Sequence, residues 1–243
     1  MKVFGKKLVE LSGVKLKDAE DDVSESSDEM EETQVLNVTF TFDKPCRPGI
    51  DRELLKQIYL LYLAHCAKER GKELNLKTLQ NSQPYVKFHS NTCELQTFQL
   101  STMPSSCKSS FWINIYNTLV LHLYVEIGVP STPFSRKAFF NNYKYKIGNF
   151  TFSLNDIRHG ILRGNPTKQL ARYRQLRGGD RRRLFILPLD PRIHFALSSL
   201  TDSSPSILIY EPEKFDTQVT QNVSNFLNDH VLIDAVKKEV STT

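Results

Sequence analysis

FWINIYNTLVLHLYVEIG, Phe111 to Gly128, is apolar around its whole circumference, yet Asn114, Asn117, His122 and Glu126 lie inside the run. A helix with no polar stripe belongs either in a bilayer or at the centre of a sizeable core. Two amides, an imidazole and a carboxylate would each be costly in lipid, so the run predicts a buried helix of a globular core. Asn114 and Asn117 fall one turn apart on one face, and buried amides must find partners. Ser109 or Ser110 is the expected cap, and Gly128 with Pro130 ends the helix.

Upstream, Val35 to Phe42 (VLNVTFTF) alternates apolar and polar residues as a strand does. Asp51 to Arg70 repeats Leu54, Leu55, Ile58, Leu61 and Tyr62 at helical spacing, with Asp51 as N-cap and Gly71 at the end. A second helical stretch covers Asn75 to Gln80, before Pro84, and Thr92 to Leu100 fits strand or helix equally. Downstream, YKIGNFTFSL alternates across Gly148-Asn149, a β-hairpin signature. Asn155 or Asp156 then caps a short helix through Leu162. Phe185 to Pro188 and Ile207 to Tyr210 could pair as core strands, and Glu213 to Val240 reads as one or two amphipathic helices. Strands and helices cluster without alternating, which predicts α+β: one domain with a buried central helix, a β-hairpin and a small, mostly antiparallel sheet.

Three motifs stand out together: FWIN-x-YN at Phe111 to Asn117, SLNDI-x-HGILR at Ser153 to Arg163, and DPRIHFAL at Asp190 to Leu197. In their order the chain resembles the domain of unknown function 547 family, found in bacteria, plants and other eukaryotes, often joined to leucine-zipper, glutaredoxin-like or DEP modules. The resemblance runs from about Asp51 to Val231 and implies a domain without an established activity. It makes the histidine of the last motif, His194, a signature residue. Asn114, Asn117, Asp156, His159, Asp190 and Arg192 complete the polar set of the three motifs.

His194 stands between Ile193 and Phe195 after an Asp190-Pro191 turn, so its imidazole is expected close to the core, where a base can be tuned. Bacterial relatives continue with a stretch resembling NCGAKSCP. This chain reads SSLTDSSP, with Ser199 and Ser204 at the two thiol positions. Any thiol chemistry there would be absent, or replaced by a far less acidic hydroxyl. The order Cys107, His194, Asp202 is that of papain-like enzymes, but no C-G-x-C-W signature accompanies it.

Net charge is +5 and hydrophobic content 40% in 243 residues, enough for one large domain. Nine carboxylates crowd Lys17 to Glu32, so residues 1–33 are expected to be a disordered acidic leader and 34–243 the domain. MKVFGKKLVELSG lacks the apolar run of a secretory signal, which points to the cytoplasm. Cys46, Cys66, Cys93 and Cys107 form no C-x-x-C pair and read as reduced structural thiols. No Gly-rich phosphate loop, H-E-x-x-H or G-x-S-x-G occurs, so no cofactor and no metal are expected. Arg163 to Arg183 carries Arg172, Arg174, Arg177, Arg181, Arg182 and Arg183, a basic loop able to bind anions weakly. With Tyr173 as its only ring, it lacks the stacking pattern of a nucleic-acid binder.

The leading reading is an interaction or scaffold module with a pocket near His194 for a protein partner or a small-molecule or peptide ligand. The alternative is a hydrolase or acyl transferase with His194 as general base and Ser199 or Ser204 as nucleophile. Trimming the chain to Thr33 is expected to leave a soluble, stably folded core, which limited proteolysis checks; an insoluble product would make the leader part of the fold.

Overall fold

The computed structural model describes residues 33–68, 76–167, 174–199, 201, 204–234 and 239–242; the acidic leader lies outside these. In chain order come β1 (Gln34–Val35), α1 (Ile50–Lys68), α2 (Leu76–Gln80) and α3 (Gln83–Thr92). Two 3-10 turns lead into α4 (Ser105–Ile127) and α5 (Pro133–Asn141). The strands β2 (Tyr143–Ile147) and β3 (Phe150–Ser153) run into a π-helical segment, Asp156–Leu162. Further 3-10 segments, Arg181–Phe185 and Pro191–Phe195, precede α6 (Phe215–His230), β4 (Val231–Asp234) and β5 (Glu239–Thr242). The fold is α+β.

α4 is the axis. Every residue from Ser110 to Val125 is buried. α1 packs along it through Leu54, Leu55, Ile58 and Tyr62, the last edge-on to Tyr124 at 5.2 Å between ring centroids. Among the described residues no helix is long and apolar enough to cross a membrane.

α4 starts at Ser105, ahead of the expected serine caps, because Pro104 precedes it and Ser110 turns inward to donate to the Cys107 carbonyl at 3.0 Å. α1 starts at Ile50, so Asp51 lies inside the first turn and is not the cap. Its buried carboxylate accepts from Asn114 Nδ2 at 2.8 Å. Burial pushes the Asp51 carboxyl above its ordinary value, and the Asn114 bond opposes that shift. Pro84 opens α3: Ser82 Oγ caps Tyr85 N at 3.3 Å, and a first-turn proline sacrifices no hydrogen bond. Thr92 to Leu100 resolves into 3-10 turns.

β2 and β3 form the expected hairpin, with Tyr145 opposite Phe152. Gly148 has φ +56, and a Cβ there would lie 2.6 Å from the Phe98 carbonyl oxygen. β1 is shorter than the alternation predicts and runs parallel to β2, Gln34 opposite Tyr143. Beyond Leu36 a side chain takes over the pairing. Asn37 Nδ2 donates to the Lys146 carbonyl at 2.9 Å, and Lys146 N donates to Asn37 Oδ1 at 2.7 Å.

The same device recurs three times. Asn114 Nδ2 donates to the Tyr210 carbonyl at 2.9 Å and Asn114 Oδ1 accepts from Tyr210 N at 2.9 Å. Asn117 Nδ2 donates to the Ala196 carbonyl at 3.0 Å and Asn117 Oδ1 accepts from Ser198 N at 3.0 Å. Asn165, held at φ 54, pairs with both backbone groups of Leu176, at 2.9 and 3.0 Å. This explains why Phe185 to Pro188 and Ile207 to Tyr210 do not pair as strands: Asn114 already satisfies Tyr210, and Leu187 N donates to the Ile161 carbonyl. Of the one or two helices expected over Glu213 to Val240, the described residues hold one, α6, and the chain after His230 enters the antiparallel pair β4–β5.

Asn117→Leu leaves a buried carbonyl and a buried amide without partners. It is expected to lower unfolding free energy by about 1–3 kcal/mol with an unchanged m-value in urea.

Candidate functional site

The tract Leu189 to Leu197 is held to α4 by Asn117, and its own ends are tied locally. Asp190 Oδ1 accepts from Arg192 N at 3.0 Å, capping the 3-10 turn. The Arg192 guanidinium then bridges Asp190 and, at 2.7 Å, Asp216 of α6, and it holds the Asp190 carboxyl below its ordinary value. Asp190 and Arg192 thus fix the tract to α6. Ile193 points into the core, which turns the next side chain out: His194 is exposed. The core-held imidazole expected from the sequence is corrected by this turn geometry.

The charges facing His194 are both positive. Partial burial, then Arg163, then Arg158 push its imidazole below the ordinary histidine value. These arginines leave the π-helical segment, whose start is a reciprocal cap: Ser153 N donates to Asp156 Oδ2 and Asp156 N to Ser153 Oγ, each at 3.1 Å. The cap is therefore Ser153, not Asn155 or Asp156. Arg163 Nη1 lies 3.3 Å from His159 Nδ1. Burial and then Arg158 lower the Arg163 pKa. Arg158 also faces the Tyr116 phenol, and both Arg158 Nε and Tyr116 Oη are buried with no well-formed hydrogen bond. Arg158, Arg163 and His194 form a basic cluster, and among the described residues no carboxylate is paired with it.

Ser199 and Ser204 come together, their Oγ atoms 2.9 Å apart. Ser204 Oγ also accepts from Ser199 N at 3.1 Å and Thr201 N at 2.9 Å, so it closes its own loop. Among the described residues no hydrogen bond joins His194 to either serine. A shallow groove reaches Ser199 and Thr201 from Arg136, Phe139 and Phe140 of α5, and His194 does not line it. Cys107 is a free thiol in the first turn of α4, and Asp202 lies outside the described residues.

Several arginines of the basic loop are engaged within the fold. Arg182 Nη1 donates to Asp156 Oδ2 at 2.7 Å and to the Thr151 carbonyl at 2.8 Å, while its other nitrogens clamp Asp180. Arg181 sits over the Phe150 ring, Arg183 donates to the Leu176 carbonyl, and Arg174 to Thr167. Arg177 is engaged as well. Arg172 falls outside the described residues.

A second polar cluster, which no motif marked, lies at the other end of α4. His122 is fully buried, with Nδ1 2.7 Å from Tyr145 Oη and Nε2 3.6 Å from Glu126 Oε1. Tyr85 Oη donates to the same Glu126 oxygen, and the His89 ring packs edge-on to His122. The sequence signal was present in part, as two polar residues one turn apart inside an apolar helix. His89 came from a helix the sequence reading did not find.

A family model described as "Protein of unknown function, DUF547" matches residues 100–227, just over half of the chain, and the chain belongs to that family. No curated protein and no solved structure matches it. The matched stretch contains Asn114, Asn117, Arg158, Arg163 and His194, while His89 lies ahead of it.

Arg182→Ser strands the carboxylate of Asp156, which is 6% exposed, and is expected to cost on the order of 3 kcal/mol in chemical denaturation. Arg181→Ser, at an exposed position with no carboxylate to strand, is expected to stay within about 1 kcal/mol of the parent.

Proposed function

We propose that this domain is an interaction module that docks an anionic group of a partner, a carboxylate or phosphate on an acidic peptide segment, against Arg158, Arg163 and His194. The observation that carries the reading is the unneutralised cluster itself. Elsewhere the protein answers buried or half-buried arginines with carboxylates, Arg182 with Asp156 and Asp180, Arg192 with Asp190 and Asp216. Here three cationic or protonatable groups face one another, and Arg158 Nε and Tyr116 Oη are buried with no well-formed hydrogen bond. Such a group loses electrostatic free energy until an anion arrives, and guanidinium forks match carboxylate and phosphate geometry. Leu189, 59% exposed, lies close to Gly164, the residue after Arg163, and offers apolar surface there.

The hydrolase alternative draws less support. A serine nucleophile needs a base within hydrogen-bond reach, and the Ser204 hydroxyl is instead occupied by two backbone amides.

The proposal fixes the sign of a pH effect. His194 titrates below its ordinary value in the free protein, because burial and the two guanidiniums disfavour the charged ring. A bound anion reverses the second cause and raises the pKa, so binding takes up a proton. Affinity should therefore tighten as pH falls through about 6.5 and below, and weaken with salt. Titrating the full chain with a short oligoglutamate peptide and with a matched phosphoserine peptide, while following the His194 ring by NMR, tests this. Perturbation of His194 by at least one peptide, lost in an Arg158→Met/Arg163→Ala variant, is expected. No shift with either peptide, or unchanged binding by the variant, overturns the reading.

A further inference from the structure

We propose that His89, His122 and Glu126 form a binding site for one divalent transition-metal ion, of the Zn2+ class, where α3 meets α4. The site is separate from the His194 cluster and does not rest on the function proposed above.

One ligand atom from each of the three residues can be drawn so that all lie within 4.8 Å of one another. His122 Nε2 and Glu126 Oε1 are 3.6 Å apart. Two donors on a tetrahedral zinc, at bonds of 2.0–2.1 Å, stand about 3.4 Å apart, so these two already hold nearly the required bite. Their spacing comes from the helix, where residues four apart lie one above the other. His89, one helix away on α3, needs to move in by up to about 1.4 Å to complete the set, within the reach of a side chain that is only half-buried.

The independent observation is the state of the His122 Nε2 atom. It is fully buried, it points at the cluster, and the carboxylate it faces stands 3.6 Å away, too far for a well-formed hydrogen bond. A plain hydrogen-bonded network would bring the carboxylate within about 3.2 Å of that nitrogen, and this one stops short of it. Leaving a buried ring nitrogen unpaired is unfavourable unless something else occupies its lone pair. The rest of the ring is already arranged for that. Tyr145 Oη, itself buried, lies 2.7 Å from Nδ1; with the proton on Nδ1 donated to this oxygen, Nε2 presents its lone pair to the cluster.

The surroundings support the carboxylate in the same way. Tyr85 Oη donates to Glu126 Oε1, fixing its rotamer, and Gln80 Nε2 donates to the Val125 and Glu126 carbonyls at 2.7 and 3.1 Å, fixing the last turn of α4. Outer-shell bonds of this kind orient ligands in known metal sites. His89 and Glu126 are half-buried, so the cluster lies at the edge of the core and is not sealed inside it. Two imidazoles and one carboxylate suit Zn2+ and its first-row neighbours better than Mg2+ or Ca2+, which prefer all-oxygen shells.

The test uses the full chain, stripped by a chelator and titrated with Zn2+ and, for its spectrum, Co2+. One equivalent should bind, with a tetrahedral Co2+ absorption band and a raised Tm. His89→Ala and Glu126→Gln should each weaken Zn2+ affinity by more than about tenfold. His89→Ala, at a half-buried position, should leave the Tm of the metal-free protein close to the parent; should it fail to fold, Glu126→Gln carries the test, because the amide keeps the shape of the carboxylate. Absence of stoichiometric binding overturns the proposal, and so does equal affinity in parent and variants, which would assign the metal to thiols or histidines elsewhere.

Discussion

A side-chain carboxamide offers one N–H and one C=O in the same plane, as a peptide group does, and this protein depends on that equivalence. Four asparagines, Asn37, Asn114, Asn117 and Asn165, each pair at once with a backbone carbonyl and a backbone amide of a distant segment. Irregular backbone is normally kept at the surface because its polar groups cannot be satisfied inside. Here Tyr210, Ala196 to Ser198 and Leu176 run through the interior without strand neighbours, and the asparagines supply the missing ladder. α4 contributes two of them. It can do so because it has no solvent face on which a polar side chain could spend its bonds.

The central helix, α1 and the hairpin were legible in the sequence because each rests on a periodic signal: an unbroken apolar run, a helical face, and alternation across Gly148-Asn149. The segments after Leu162 were not legible in this way. Ile207 to Tyr210 is apolar enough for a core strand, but what decides its state is Asn114, some ninety residues earlier in the chain, and no local pattern reports that. Likewise Val35 to Phe42 carries a strand's alternation, yet Asn37 replaces the ladder after two residues and leaves Val38 and Phe40 exposed.

The candidate sites show the same divide. The family motifs drew attention to His194, Asn117 and Arg163, and these do gather near one another or near the same tract. Composition alone could not separate the arginines that hold the fold from those that lack a counter-charge. Arg182 and Arg192 look like loop charges in sequence and act as clamps, while Arg158 hides inside a motif otherwise read for its Asp156 and His159. His122 and Glu126 are visible as an anomaly within the apolar helix, but their companions Tyr85 and His89 sit on α3, whose first turn holds Pro84, a residue that locally signals a helix end.

The reliance on asparagine also makes the fold sensitive to chemical ageing. Hydrolysis of an asparagine amide, which takes up a water and releases ammonia, yields aspartate, nearly the same in shape but without its N–H donor. At Asn114 the new carboxylate would face the Tyr210 carbonyl and the Asp51 carboxylate together, an oxygen set with no proton to share unless one is taken from solvent. A change of one atom that leaves the packing volume untouched would therefore set charge against charge in the driest part of the molecule. The lifetime of the folded chain is tied in this way to the persistence of a few amide nitrogens.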